Sequence, residues 1–131
     1  MASKSIERLR RVADKQTLSL THYGRKSGRP YDVTIWYMVD GDRLYLASAN
    51  AKRNWSRNVK ARPAVSLKIG DQIFNGNVRE ITETQEREKV RDLVERKYWY
   101  AMPIMRVGRF LTSAGLMRDN TAAFEVILAD E

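Results

Sequence analysis

Three turn signals divide residues 17–82: RKSGRP at Arg25–Pro30, DGD at Asp40–Asp42 and GDQ at Gly70–Gln72. The runs they bound, Thr17–Gly24 (TLSLTHYG), Tyr31–Asp40 (YDVTIWYMVD) and Arg43–Ala49 (RLYLASA), are rich in β-branched and aromatic residues and predict three strands. Connections this short join antiparallel neighbours, because a parallel pair needs a crossover of about a dozen residues or more. Ala64–Gly70 alternates Val65, Leu67 and Ile69 with Ser66 and Lys68, which predicts a half-buried strand. GDQ returns it into Ile73–Thr82, where Gly76 marks a bulge or a close backbone approach. A last strand over 120–128 sets Ala123, Glu125 and Ile127 opposite Phe124, Val126 and Leu128.

Helical spacing accounts for most of the remainder. Ile6, Leu9 and Val12 or Ala13 share one side of a short helix within 1–16, with Ser3 or Ser5 as its cap. The break at 50–63 places Trp55, Val59 and Arg62 on one side and ends at Pro63, as a short helix or turn-rich crossover does. Thr82 and Gln85 form a capping-box signature ahead of a helix with the stripe Val90, Leu93, Val94 and Tyr98. Pro103 and two glycines interrupt the rest of the helical segment 83–115. The organisation predicted is one domain, 1–131, of mixed α+β and mainly β class. Its core is a six-stranded antiparallel barrel over 17–82 and 120–128, with flanking helices.

Composition narrows the chemistry. Cysteine is absent and His22 is the single histidine, so thiol catalysis, thiolate metal sites and His-rich metal sites are excluded. The 131 residues carry 24 Lys+Arg against 16 Asp+Glu, a formal +8, which favours anionic partners without choosing among them. No apolar run approaches the roughly 20 residues of a membrane span, and the expected location is cytoplasmic. The basic face of the first helix (Arg8, Arg10, Arg11) reads as a solvated face before it reads as weak association with a membrane surface.

Two basic segments stand out. Arg25, Lys26 and Arg29 crowd the first turn, where Ser27 adds a hydroxyl and Gly28 frees backbone N–H groups. Such a turn suits a phosphate or several carboxylates, or is simply solvated. Arg53, Asn54, Arg57 and Asn58 surround Trp55 in the crossover that follows the third strand. The second strand turns either Asp32, Thr34 and Trp36 or Val33, Ile35 and Tyr37 toward the barrel, and an apolar aromatic wall suits a flat ring system. No nucleophile triad, carboxylate pair or metal spacing is present, so catalysis here calls for a cofactor.

The stretch LTHYGRKSGRPYDVTIWYMVDGDRLYLASAN at Leu20–Asn50, followed by WSRNVKARPAVSLKI at Trp55–Ile69, resembles the deazaflavin-dependent nitroreductase family. That family is a branch of the flavin/deazaflavin oxidoreductases with a split β-barrel of the FMN-binding type. The resemblance implies a reduced deazaflavin, coenzyme F420, as cofactor, with FMN or FAD as the alternative. The implied reaction is hydride transfer to a small electron acceptor such as a quinone, a nitro compound or an enone. It assigns Arg25, Lys26 and Ser27 to the coenzyme's phosphate and acidic tail, and Tyr31, Val33, Thr34, Ile35 and Trp36 to the strand beside the ring. Ala47, Ser48, Ala49 and Asn50 match the small-residue strand end, and Trp55, Ser56, Arg57 and Asn58 complete the phosphate side. Tyr98 and Tyr100 are candidates for a proton donor or substrate contact. His22 and Tyr23 stand where relatives often carry threonine. The resemblance also implies a homodimer. A cofactor carrier without turnover is the second reading. Specific nucleic-acid binding is not expected, because no helix-turn-helix, RNP-type aromatics or continuous basic helix is present.

Overall fold

The computed structural model describes residues 4–48, 53–98 and 121–129. Of the expected site, Ala49, Asn50 and Tyr100 lie outside the described residues, as does the 99–115 part of the expected helical segment. The described elements run α1 (Lys4–Arg11), β1 (Leu18–Tyr23), β2 (Pro30–Ile35), β3 (Tyr37–Asp40), β4 (Arg43–Ser48), α2 (Asn54–Ala61), β5 (Ala64–Ile69), β6 (Gln72–Glu80), α3 (Thr84–Lys97) and β7 (Ala122–Leu128).

Among the described residues seven strands replace the expected six, in the order β2-β1-β5-β6-β7-β4-β3, and every pair is antiparallel. The additional strand comes from the run Tyr31–Asp40, which breaks at Trp36. Its first half pairs with β1 from Leu18↔Ile35 to Tyr23↔Pro30, and its second half pairs with β4 from Tyr37↔Leu46 to Asp40↔Arg43. The break coincides with a tertiary contact. Tyr37 N–H donates to the Tyr98 hydroxyl at 3.1 Å, and the Trp36 ring stacks on the Tyr98 ring at 4.0 Å, with 5° between planes. β2 and β3 therefore sit at opposite edges of the sheet although one residue joins them. A flat sheet of seven strands would hold those edges about 29 Å apart, so the sheet must curl back on itself.

The curl creates two apolar layers. Inside it lie Leu18, Leu20, Ile35, Tyr37, Leu46, Leu67, Ile69 and Phe124, with Leu9 and Val12 brought in by α1 and Trp55 and Val59 by α2. Outside it, Val90 and Tyr98 of the α3 segment cover Met38, Tyr45 and Ala123. The helical stripe read from Val90 to Tyr98 is this contact. Glu83 rather than Thr82 holds the cap position of α3, and no side chain caps it, so the Thr82–Gln85 capping box does not form. Ser5 is likewise not a cap: it lies inside α1 and donates to the Ala129 carbonyl at 2.7 Å. Gly76 is a close approach and not a bulge. It stays in register between Val65 and Leu128, and a Cβ there would lie 2.6 Å from the Ile127 carbonyl oxygen.

Candidate functional site

The RKSGRP turn is closed by its own backbone. Gly24 N–H donates to the Arg29 carbonyl at 2.9 Å, and Gly28 N–H to the Gly24 carbonyl at 2.8 Å. Gly28 has φ +73°, a conformation that side-chain-bearing residues rarely adopt. Ser27 Oγ accepts from Arg29 N–H at 3.2 Å. The turn faces the N-terminal end of α2, and between them opens a cleft of about 610 Å³. Its walls are His22, Gly24, Arg25, Lys26 and Ser27 from β1 and the turn, Tyr31, Asp32 and Val33 from β2, and Arg53, Asn54, Trp55 and Asn58 from the start of α2.

The strand register explains which side chains arrive. Leu18, Leu20 and His22 point to one face of β1, and their partners Ile35, Val33 and Tyr31 point to the same face of β2. Ile35 is buried in the core, Val33 is half-buried against it, and Tyr31 is 47% exposed. The apolar face thus runs from the core out to the cleft. Of the two alternatives for the second strand, the Val33, Ile35 and Tyr37 face is the inward one. Thr34 is exposed on the opposite side.

A buried asparagine ties the two basic segments together. Asn58, 4% exposed, accepts at Oδ1 from the backbone N–H of Arg25 at 3.2 Å and from Arg25 Nη1 at 2.7 Å. Its Nδ2 lies 3.1 Å from His22 Nδ1. His22 is also 4% exposed and stacks on Tyr31 at 5.8 Å between ring centres. Burial pushes the His22 pKa below its ordinary value of 6.5, against an opposing pull from Asp32. Asp32 itself accepts from Thr21 Oγ1 at 2.6 Å.

Among the described residues, the basic side chains of this cleft are not neutralised by ion pairs. Lys60, Arg79 and Lys89 each pair with a carboxylate. Among the described residues, none of Arg25, Lys26, Arg53 and Arg57 has a carboxylate within 4.0 Å. Guanidinium, ammonium, hydroxyl and amide donors around an open cleft fit an oxyanion such as a phosphate, and the Val33–Tyr31 side with Trp55 fits an apolar ring.

Seven of the residues expected from the sequence meet in this cleft: Arg25, Lys26, Ser27, Tyr31, Val33, Trp55 and Asn58. Others do not reach it. Ile35 is core, and Trp36 turns away to stack on Tyr98. Ala47 packs toward the α3 layer, Ser48 is buried on β4 opposite Ala122, and Ser56 is fully buried. Arg57 and Arg29 are exposed and form no part of the cleft wall. Tyr98 is fully buried. Its hydroxyl accepts from Tyr37 N–H and has one proton to donate, with the Gln16 carbonyl at 2.7 Å and the Tyr37 carbonyl at 3.0 Å as acceptors. Arg53 and Asn54 of the second basic segment also line the wall, and the structure adds His22, Gly24 and Asp32. The signal for His22 was its alternation with Leu18 and Leu20, which puts a polar ring at the end of an apolar face.

A family model described as F420H(2)-dependent quinone reductase matches residues 3–114. The fold is shared with solved structures of low identity. A conserved hypothetical protein from Mycobacterium tuberculosis is 20% identical, with TM-score 0.70, over 98% of this chain and 81% of that one. An F420-H2 dependent reductase, FDR-A, is 23% identical, with TM-score 0.65, over 85% and 93%. A putative pyridoxamine 5'-phosphate oxidase from Listeria innocua is 12% identical, with TM-score 0.68, over 97% and 95%.

Proposed function

Since the chain belongs to the F420H(2)-dependent quinone reductase family, we propose that its cleft holds coenzyme F420 and that a quinone-type compound is the acceptor. The observation that carries this reading is the convergence of Arg25, Lys26, Ser27 and Arg53 on one cleft with no carboxylate within ion-pair distance among the described residues. Arg25 and Lys26, with Arg53 across the cleft, bind the phosphate and acidic tail of the coenzyme. Ser27 Oγ and the backbone N–H groups of Lys26 and Ser27, which have no partner among the described residues, add directed hydrogen bonds. Val33 and Tyr31 continue the core face outward as an apolar support for the ring, and Trp55 closes the side toward α2. When bound, the reduced coenzyme supplies the hydride. The chain's part is to orient that ring and to fix its charged end, which makes transfer to a docked acceptor effectively intramolecular.

Tyr98 is committed to backbone partners deep in the α3 layer, so the cleft reading assigns it a supporting place and no proton transfer. The test is a titration of the purified protein with F420, FMN and FAD, followed by quinone reduction with the cofactor that binds. Tight F420 binding with F420H2-dependent quinone turnover is the expected result. Binding of FMN alone would move the chain to a flavin reductase, and binding without turnover to a carrier.

A further inference from the structure

Two donors from Arg25, a backbone N–H and a guanidinium N–H, converge on one terminal atom of the Asn58 amide, so that atom must be the oxygen. The other terminal atom is then NH2, and it points at His22 Nδ1, 3.1 Å away. An amide NH2 only donates, which makes Nδ1 the acceptor and puts the ring proton on Nε2. Each step is forced by the one before. Resting on the cofactor reading above, we propose that His22 is a positioning residue for the anion site. Its unprotonated Nδ1 holds the Asn58 amide in the orientation that presents Oδ1 to Arg25, and protonating the ring releases Arg25 and weakens anion binding.

A proton on Nδ1 would face the Asn58 NH2 with a second donor. The amide can answer only by turning over, which gives its oxygen to His22 and sets NH2 against the Arg25 guanidinium. Arg25 then loses both bonds at once. The groups facing His22 are known from each side. Asp32 on β2 favours the charged ring. Arg25 and Lys26 on the turn and Arg53 at the start of α2 share the cleft and oppose that charge. On β5 the nearest charge, Lys68, pairs with Ser19, three residues from His22. The direction of the effect separates this latch from simple attraction. Added positive charge in a basic cleft should strengthen anion binding, whereas release of Arg25 weakens it.

His22 is the only histidine, so its ring signals need no assignment. In 15N NMR of the cofactor-free protein, the neutral ring should carry its proton on Nε2. Acidification should shift the Arg25 amide with the same midpoint as the ring, and in Asn58→Ala the ring should titrate without Arg25 following. An Nδ1–H tautomer at neutral pH, or an Arg25 amide indifferent to the ring in the wild type, would overturn the proposal. In a second arm, F420 dissociation constants for wild type and His22→Phe are compared at pH 7.5 and 5.0, where titration of the coenzyme itself cancels in the ratio. The wild type should lose at least threefold more affinity than the variant on acidification; an equal or smaller loss overturns the latch. Failure of F420 to bind at any pH sinks the cofactor reading, and the NMR arm then decides the latch by itself. If either variant fails to fold, the wild-type titration decides.

Discussion

Lys26 lies exposed near the tip of the turn that walls the cleft, away from any apolar layer. A single charged hydrogen bond to a bound anion contributes about 1.5–3 kcal/mol, or roughly tenfold to a hundredfold in affinity. Lys26→Ala should weaken F420 binding by about that factor and leave the cofactor-free melting temperature within a degree. Exposed turn charges contribute little to folding. Isothermal titration and thermal melts of the same samples check both halves. Raising salt should weaken the wild type more than the variant, since the variant has already lost part of the attraction. His22 adds a stability effect of defined sign. Its folded pKa is lowered, so below about 6.5 the unfolded chain binds a proton that the folded chain resists. Stability should therefore fall as pH drops from the unfolded value toward the folded one. His22→Phe should lack that component in chemical denaturation series from pH 7.5 to 5.0.

Among the elements, β6 is packed closely on β7 at Gly76. A Cβ at that position would lie 2.6 Å from the Ile127 carbonyl oxygen and 3.0 Å from Val126 Cγ1, and the first of these atoms belongs to a paired strand that cannot simply rotate away. Gly76→Ala should cost about 1–3 kcal/mol, whereas its exposed neighbour Asn77→Ala should change stability by less than about 0.5 kcal/mol. Urea denaturation midpoints measure the difference, and equal midpoints would mean that β7 yields without cost. Trp36 belongs to the same scale. Its ring lies on Tyr98 and away from the cleft, so Trp36→Ala should lower the melting temperature while F420 affinity stays within twofold. Titration of the folded variant decides this, and a large affinity loss would bring the ring site round to the α3 side.

For the whole molecule, Lys97 is one link between layers. Its Nζ donates to the Ala13 carbonyl at 3.2 Å and lies 3.5 Å from the centre of the Tyr37 ring, so it links the end of α3 to the segment after α1 and to β3. Burial lowers its pKa from 10.5 to about 8, with Asp14 pulling the other way. Below about 8 both folded and unfolded chains are protonated and the cost of burying the charge is fully present. Between about 8 and 10 the folded chain gives up the proton first, so this component of stability rises with pH. Tyrosine ionisation ends the clean window near 10. Lys97→Met should remove the rise, as denaturation midpoints taken across pH 7.5–10 would show; an unchanged slope would assign it to another group.

The sequence by itself determined the strands, their antiparallel sense and the chemistry available to the site. Alternation and turn residues are local, and they were sufficient for β1, β4, β5, β6 and β7, for the stripe of α3, and for the basic character of the RKSGRP turn. The short motifs also sufficed for the family, because glycine, serine and basic residues at fixed spacing are read along the chain. Only the tertiary structure decided that Tyr31–Asp40 is two strands at opposite edges, since the break at Trp36 depends on a hydroxyl from Tyr98, 61 residues away. It also decided which candidates meet. Asn58 reaches Arg25 across 33 residues and His22 across 36, distances over which no periodicity carries information. Hydrogen bonds between side chains depend on relative position in space, and position is set by the curl of the sheet.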